Sequence, residues 1–195
     1  MSLRISAFFF LFIVLSCSST KNANTSATPR INTNKEFADA AAQYKVMMKN
    51  VSGDRFPRSY DPRTAKFVTS GSDWWCSGFY PGTLLYLYEQ TKDKALYDEA
   101  MRIMSSLEKE KNNTSTHDLG FMMFCSFGNA NRIQPKPEYN EILLTSAKSL
   151  STRFNPKVGC IKSWNAKPSD FIVIIDNMMN LELLFWATAY SGDSS

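Results

Sequence analysis

The stretch "LLYLYEQTKDKALYDEAMRIMSSL" (84–107) decides the fold. Its first ten residues read as an apolar helix that ends in a polar turn closing on Asp93. The next fourteen place Leu96, Ala100, Ile103, Met104 and Leu107 at helical spacing on one face, so a second, amphipathic helix follows. The ten-residue pattern returns without gaps as "LFWATAYSGD" (184–193). A Tyr-led counterpart of the second helix, "PEYNEILLTSAKSL" (137–150), follows another apolar segment. An apolar inner-type helix alternating with an amphipathic one is how an α/α toroid is assembled from helical hairpins.

Working outward, apolar spacing predicts helices over 35–52, 81–91, 94–111, from near His117, over 137–154 and over 176–190. In the first, Phe37, Ala40, Ala41, Tyr44, Met47, Met48 and Val51 form one stripe, and Pro81 suits the first turn of the second. In the 137–154 helix, Tyr139, Leu143, Ala147, Leu150 and Phe154 align. Strands are scarce: "DFIVIID" (170–176) has the β-branched content, yet it runs into a helical pattern. The expected class is all-α. No partner helix follows the second copy of the repeat, so the chain is expected to hold the N-terminal half of the toroid, with the C-terminal half as its missing partner and its apolar faces left open.

The composition of the 195 residues, 44% hydrophobic and 21% charged, is that of an ordinary globular protein. The net charge of +4 comes from 22 basic and 18 acidic residues scattered along the chain. No Lys/Arg cluster could track a phosphate backbone, which argues against nucleic acid as a partner. At the amino terminus, Arg4 precedes "ISAFFFLFIVL", a basic start and a hydrophobic run too short to span a bilayer, which needs roughly 20 apolar residues. Ser16 followed by Cys17 resembles a lipobox. Residues 1–17 are thus expected to be a lipoprotein signal with Cys17 acylated, 18–34 a polar tether and 35–195 the folded domain. The protein would be exported and membrane-anchored, on the periplasmic side or outer membrane of a Gram-negative bacterium. The remaining cysteines, Cys76, Cys125 and Cys160, are odd in number and widely spaced, and the chain has one histidine. That argues against a disulfide framework or a structural zinc site, and the three read as small buried hydrophobes.

Three segments could carry chemistry. In "THDLGF" (116–121) the sole histidine precedes Asp118 at the head of an apolar run. In "IIDNMMNLELLFW" (174–186) Asp176 sits between two apolar stretches, where desolvation would favour its protonated form and suit a general acid. Read alone, each aspartate is equally well a carboxylate at a helix start. In "SDWWCSGFYPG" (72–82) the paired tryptophans suit either sugar stacking or packing at a helix start. Trp164 in "GCIKSWN" gives the same signal more weakly.

Together, in this order, "DWWCSGFYPG", "THDLGF" and "IIDNMMNLELLFW" resemble the unsaturated glucuronyl hydrolases, glycoside hydrolase family 88, over about residues 36–193. The resemblance implies an (α/α)6 barrel acting on oligosaccharides that end in a 4,5-unsaturated uronic acid, the ends that polysaccharide lyases leave on glycosaminoglycans. It implies that Asp176 is the general acid/base, protonating C4 of the vinyl ether and activating a water that adds at C5. Asp118 would grip the ring hydroxyls, and His117 and Trp75 would line the pocket, with no metal or cofactor; Trp164 joins them as a substrate-binding candidate on its aromatic character alone. An unsaturated rhamnogalacturonyl hydrolase is the nearest alternative within this architecture, and a catalytically inactive lipoprotein fragment the alternative outside it.

Overall fold

The computed structural model describes residues 31–165, 167 and 169–193. The expected signal, the Cys17 lipidation site and most of the tether lie outside the described residues. Asn32 starts the fold: its side chain accepts from Lys35 N at 3.2 Å and caps α1 (Thr33–Met48), so the helix takes in the last two residues of the expected tether, which ends at residue 34. A hairpin follows, β1 (Phe56–Asp61) paired antiparallel with β2 (Lys66–Ser70). Its register slips between Pro57 and Ser59, where proline has no N–H to give the ladder.

Helix then dominates. α2 (Phe79–Thr91) and α3 (Lys94–Leu107) form the hairpin read from the sequence. The last expected turn of α3 tightens into a 3-10 stretch, Glu108–Asn112. The helix expected near His117 is one run over 119–133, made of α4 (Leu119–Met123), a π turn (Phe124–Gly128) and α5 (Asn129–Ile133). α6 (Pro137–Ser151) ends earlier than expected. Phe154 leaves the core stripe for β3 (Phe154–Asn155), which pairs with β4 (Cys160–Ile161) and is half exposed. The segment 170–176 is not a strand. It leads into a 3-10 turn, Ile175–Asn180, and then α7 (Leu181–Ser191).

The repeat holds down to its turns. Both α2 and α7 end on a left-handed residue, Lys92 at φ 59° and Gly192 at φ 76°. In the first copy the Thr91 hydroxyl donates to Leu87 O at 2.7 Å and accepts from Asp93 N at 3.3 Å. In the second, Ser191 donates to Ala187 O at 2.7 Å and accepts from Asp193 N at 3.1 Å. Asp93 goes on to cap α3, accepting from Ala95 N at 3.1 Å, and pairs with Lys45 of α1.

The core lies where α2, α3, the 119–133 helix and α6 meet, around Leu84, Leu85, Leu96, Ile103, Leu107, Leu119, Met122, Met123, Leu143 and Leu150. α2 approaches the 119–133 helix so closely that a Cβ on Gly78 would stand 2.0 Å from Met122 O, and one on Gly82 2.5 Å from Cys125 O. The three described cysteines are unpaired and partly buried, rather than fully buried as the sequence suggests. Burial pushes the Cys125 thiol up to about 11, which leaves it protonated and unreactive.

Candidate active site

Two helix starts meet at the site. α4 begins directly after Asp118, and Asp176 lies in the first turn of the 3-10 stretch that feeds α7. The unfilled N–H groups of a first helical turn favour a carboxylate there. Thr116 fixes the first segment. Its hydroxyl accepts from Asp118 N at 3.1 Å and donates to Asp118 Oδ2 at 2.8 Å. It thus binds the Asp118 side chain directly and does not act as a simple N-cap of α4.

The two starts are brought together by the absence of a side chain. A Cβ on Gly120 would stand 2.5 Å from both Cα and Oδ1 of Asn180, so only glycine lets the backbones touch. Fully buried Asn180 completes the contact by accepting from Phe121 N at 3.3 Å.

His117, only 3% exposed, joins the two aspartates. Its Nε2 lies 3.2 Å from Asp176 Oδ2 and 3.3 Å from Asp118 Oδ1. A proton on Nε2 therefore faces both carboxylates. The other oxygen of Asp176, Oδ1, is buried and has no hydrogen-bond partner among the described residues. These three side chains place ligand atoms within 4.8 Å of one another, a spacing a divalent cation could also use. Such a cation would require Nε2 to be free of a proton.

Trp164 stands edge-on to His117, with ring centroids 6.4 Å apart and planes at 78°, and about half of it is exposed. Trp75 reaches the cluster only through intermediaries. It meets Phe79 edge-on at 6.0 Å, and Phe79 stacks on Phe121 at 5.6 Å, one turn beyond Asp118. Trp74 turns away and lies under the Arg58 guanidinium, 4.1 Å from its ring centroid.

One expectation is corrected. The side chain of Asp176 is 34% exposed, and its apolar neighbours do not bury it. Ile175 is 86% exposed, and Val173, Met178 and Met179 also face out. Polar groups hold this segment instead. Asn177 Nδ2 donates to Ile161 O at 2.7 Å and to Ser163 Oγ at 3.0 Å, and Ile174 N donates to the same Ser163 hydroxyl at 3.0 Å. Asn177 and Asn180 stand in the quoted motif, yet only their spacing at one 3-10 turn hints at this role.

No family model matches the chain. Relatives do. The chain is 38% identical over 189 residues to an unsaturated glucuronyl hydrolase of Formosa agariphila, covering 94% of this chain and 46% of that protein. It is 32% identical over 125 residues to an unsaturated chondroitin disaccharide hydrolase of Streptococcus pyogenes serotype M1, covering 62% of this chain and 31% of that one. A crystal structure of an unsaturated glucuronyl hydrolase specific for heparin matches with a TM-score of 0.76 at 39% identity, over 82% of this chain and 43% of that one. These structural neighbours are (α/α)6 barrels, and the helical hairpins described above are part of such a ring. The chain spans less than half the length of the relatives it matches. It belongs to the unsaturated glucuronyl hydrolase family.

Proposed function

We propose that a protein carrying this chain within a full barrel removes 4,5-unsaturated uronic acid from the non-reducing end of lyase-generated oligosaccharides of glycosaminoglycan type. The observation that carries this reading is the placement of Asp118 and Asp176 on either side of His117 Nε2, with Asp176 Oδ1 unengaged. In this reading the Asp176 carboxyl group delivers a proton to C4 of the vinyl ether, and the charge that develops at C5 is met by water. The carboxylate left on Asp176 takes the proton from that water as it adds to C5. The hemiketal so formed opens and releases the sugar on the reducing side, so the bond at the anomeric carbon breaks without direct attack on that carbon. His117, donating from Nε2, keeps the Asp176 carboxyl oriented. Asp118, held by Thr116, offers an oxygen to the ring hydroxyls beside the double bond. Trp164, and more distantly Trp75, supply flat apolar faces for the sugar.

Turnover reads out as loss of absorbance when the conjugated double bond is consumed. Asp176→Asn keeps the shape and removes the exchangeable proton. It is expected to lower kcat by about 10²–10⁴, the usual worth of general acid–base catalysis. In heavy-oxygen water the label should enter at C5. Label at the anomeric carbon, or near wild-type turnover by Asp176→Asn, would refute the mechanism. Chondroitin and heparin disaccharides run beside pectin-derived ones separate this substrate class from unsaturated rhamnogalacturonides.

We further propose export and lipid attachment at Cys17, on the support of the "FLFIVLSC" pattern (10–17). A clickable palmitate analogue should label the wild type and not Cys17→Ala.

A further inference from the structure

Arg153 follows the last turn of α6 and is 9% exposed, yet among the described residues no carboxylate touches it. All five of its N–H groups go to neutral acceptors. Nε donates to Lys162 O at 2.9 Å, Nη1 to Thr114 O and Ser115 O at 3.0 Å each, and Nη2 to Ser163 O at 2.9 Å and Asn165 Oδ1 at 3.2 Å. Burial pulls this guanidinium below its ordinary pKa, and the one charge that opposes the shift is the Asp118 carboxylate. A cation kept in such a place has to be explained by what it holds.

It holds both sides of the site. Thr114 and Ser115 lead directly into Thr116, His117 and Asp118. Lys162, Ser163 and Asn165 flank Trp164. Ser163 carries the connection onward: its N–H donates to Ile172 O at 2.8 Å, and its hydroxyl accepts from Ile174 N and Asn177 Nδ2, on either side of Asp176. Asn165 Nδ2 closes the loop back to Ser115 O at 3.4 Å.

We infer that Arg153 is a positioning residue: its guanidinium sets the separation between the His117–Asp118 segment and the segment carrying Trp164 and Asp176. It does so without meeting the substrate. This rests on the reading of Asp118 and Asp176 as the reacting pair. Lysine cannot replace it, because an ammonium offers three donors from one point where arginine spreads five in a plane.

The chain provides its own reporter. His117 is the sole histidine, so its imidazole gives one Cε1–H resonance, and the edge-on contact with Trp164 should give a nuclear Overhauser effect between the two rings. In the 195-residue chain, Arg153→Lys should retain helical circular dichroism and lose at least about half of that cross-peak. Arg153→Ala should lose it too and regain it on addition of methylguanidinium. Arg132→Lys, at a surface pair with Glu89, is the control and should leave it unchanged. If Arg153→Lys does not fold, the alanine variant with and without methylguanidinium decides. A cross-peak of wild-type strength in folded Arg153→Lys, or in folded Arg153→Ala without methylguanidinium, would overturn the inference, as would failure of methylguanidinium to restore it. In the full barrel, Arg153→Lys should lower kcat by about 10²-fold, as misplacement near 1 Å does, with KM little changed. A fall in stability with kcat unchanged would leave Arg153 a merely structural residue. A wild-type protein that shows the ring contact but hydrolyses no unsaturated disaccharide would sink the proposed function and leave the clamp standing.

Discussion

Segments 84–93 and 184–193 share one sequence pattern and one backbone, and they differ in what covers them. Leu85 of α2 is 0% exposed, whereas Phe185, its counterpart in the repeat, is 69% exposed on α7. The turns agree almost atom for atom, as the matched hydroxyl contacts of Thr91 and Ser191 show. The comparison separates two contributions to a helical hairpin. The turn is dictated locally, by a left-handed residue and a hydroxyl that satisfies the last carbonyls. Burial depends on the helix that packs alongside, which α3 supplies to α2 and no described residue supplies to the outer face of α7.

The sharpest way to break the comparison is to truncate both counterparts. Leu85→Ala should cost about 2–5 kcal/mol in urea unfolding, the range for a fully enclosed leucine. Phe185→Ala should fall within about 0.5 kcal/mol of wild type, as exposed positions do. Equal losses would mean that the two faces are covered alike. A second consequence concerns association. Phe185 and Tyr190 on α7, and Ile175 and Met178 in the turn before it, are exposed apolar side chains, which favours self-association. Sedimentation of the 195-residue chain should exceed that of a 22.1 kDa monomer, and Phe185→Lys should shift it towards the monomer. A monodisperse wild-type monomer would contradict this.

The smallest effect tests the turn itself. Lys92 holds a left-handed conformation that costs a side-chain-bearing residue about 1–2 kcal/mol, while Gly192 holds it freely. Lys92→Gly should therefore stabilise the chain by about 1 kcal/mol in the same urea titration. Gly192→Lys should destabilise it by a similar amount. Destabilisation by Lys92→Gly, or stabilisation by Gly192→Lys, would show that the two turns are not equivalent.

What could be read in the sequence was what is encoded close by. The α2–α3 hairpin is legible because apolar spacing, a turn and a capping aspartate lie within one continuous stretch. The two aspartates are legible because each heads an apolar helix in a recognisable motif. The β1–β2 hairpin was hidden, since Pro57 and Arg58 interrupt any alternation that would mark a strand. The exposure of Asp176 was missed because apolar neighbours do not bury a side chain when the segment turns outward. Arg153 left no signal at all. Most of its acceptors are main-chain carbonyls, two of them 38 and 39 residues away, and a carbonyl carries no residue identity.

The glycine contacts have a consequence for how such a protein can change over generations. At Gly78 against Met122, Gly82 against Cys125 and Gly120 against Asn180, main chain rests on main chain with no space for even one methyl group. Helices seated this way cannot drift apart by stepwise exchange of side chains, because the first step already collides. A descendant with an altered site would therefore inherit the spacing of these three helices intact. Its innovation would have to arise in the segments strung between them, such as 54–70 and 155–160, where insertions and polar exchanges meet no such barrier.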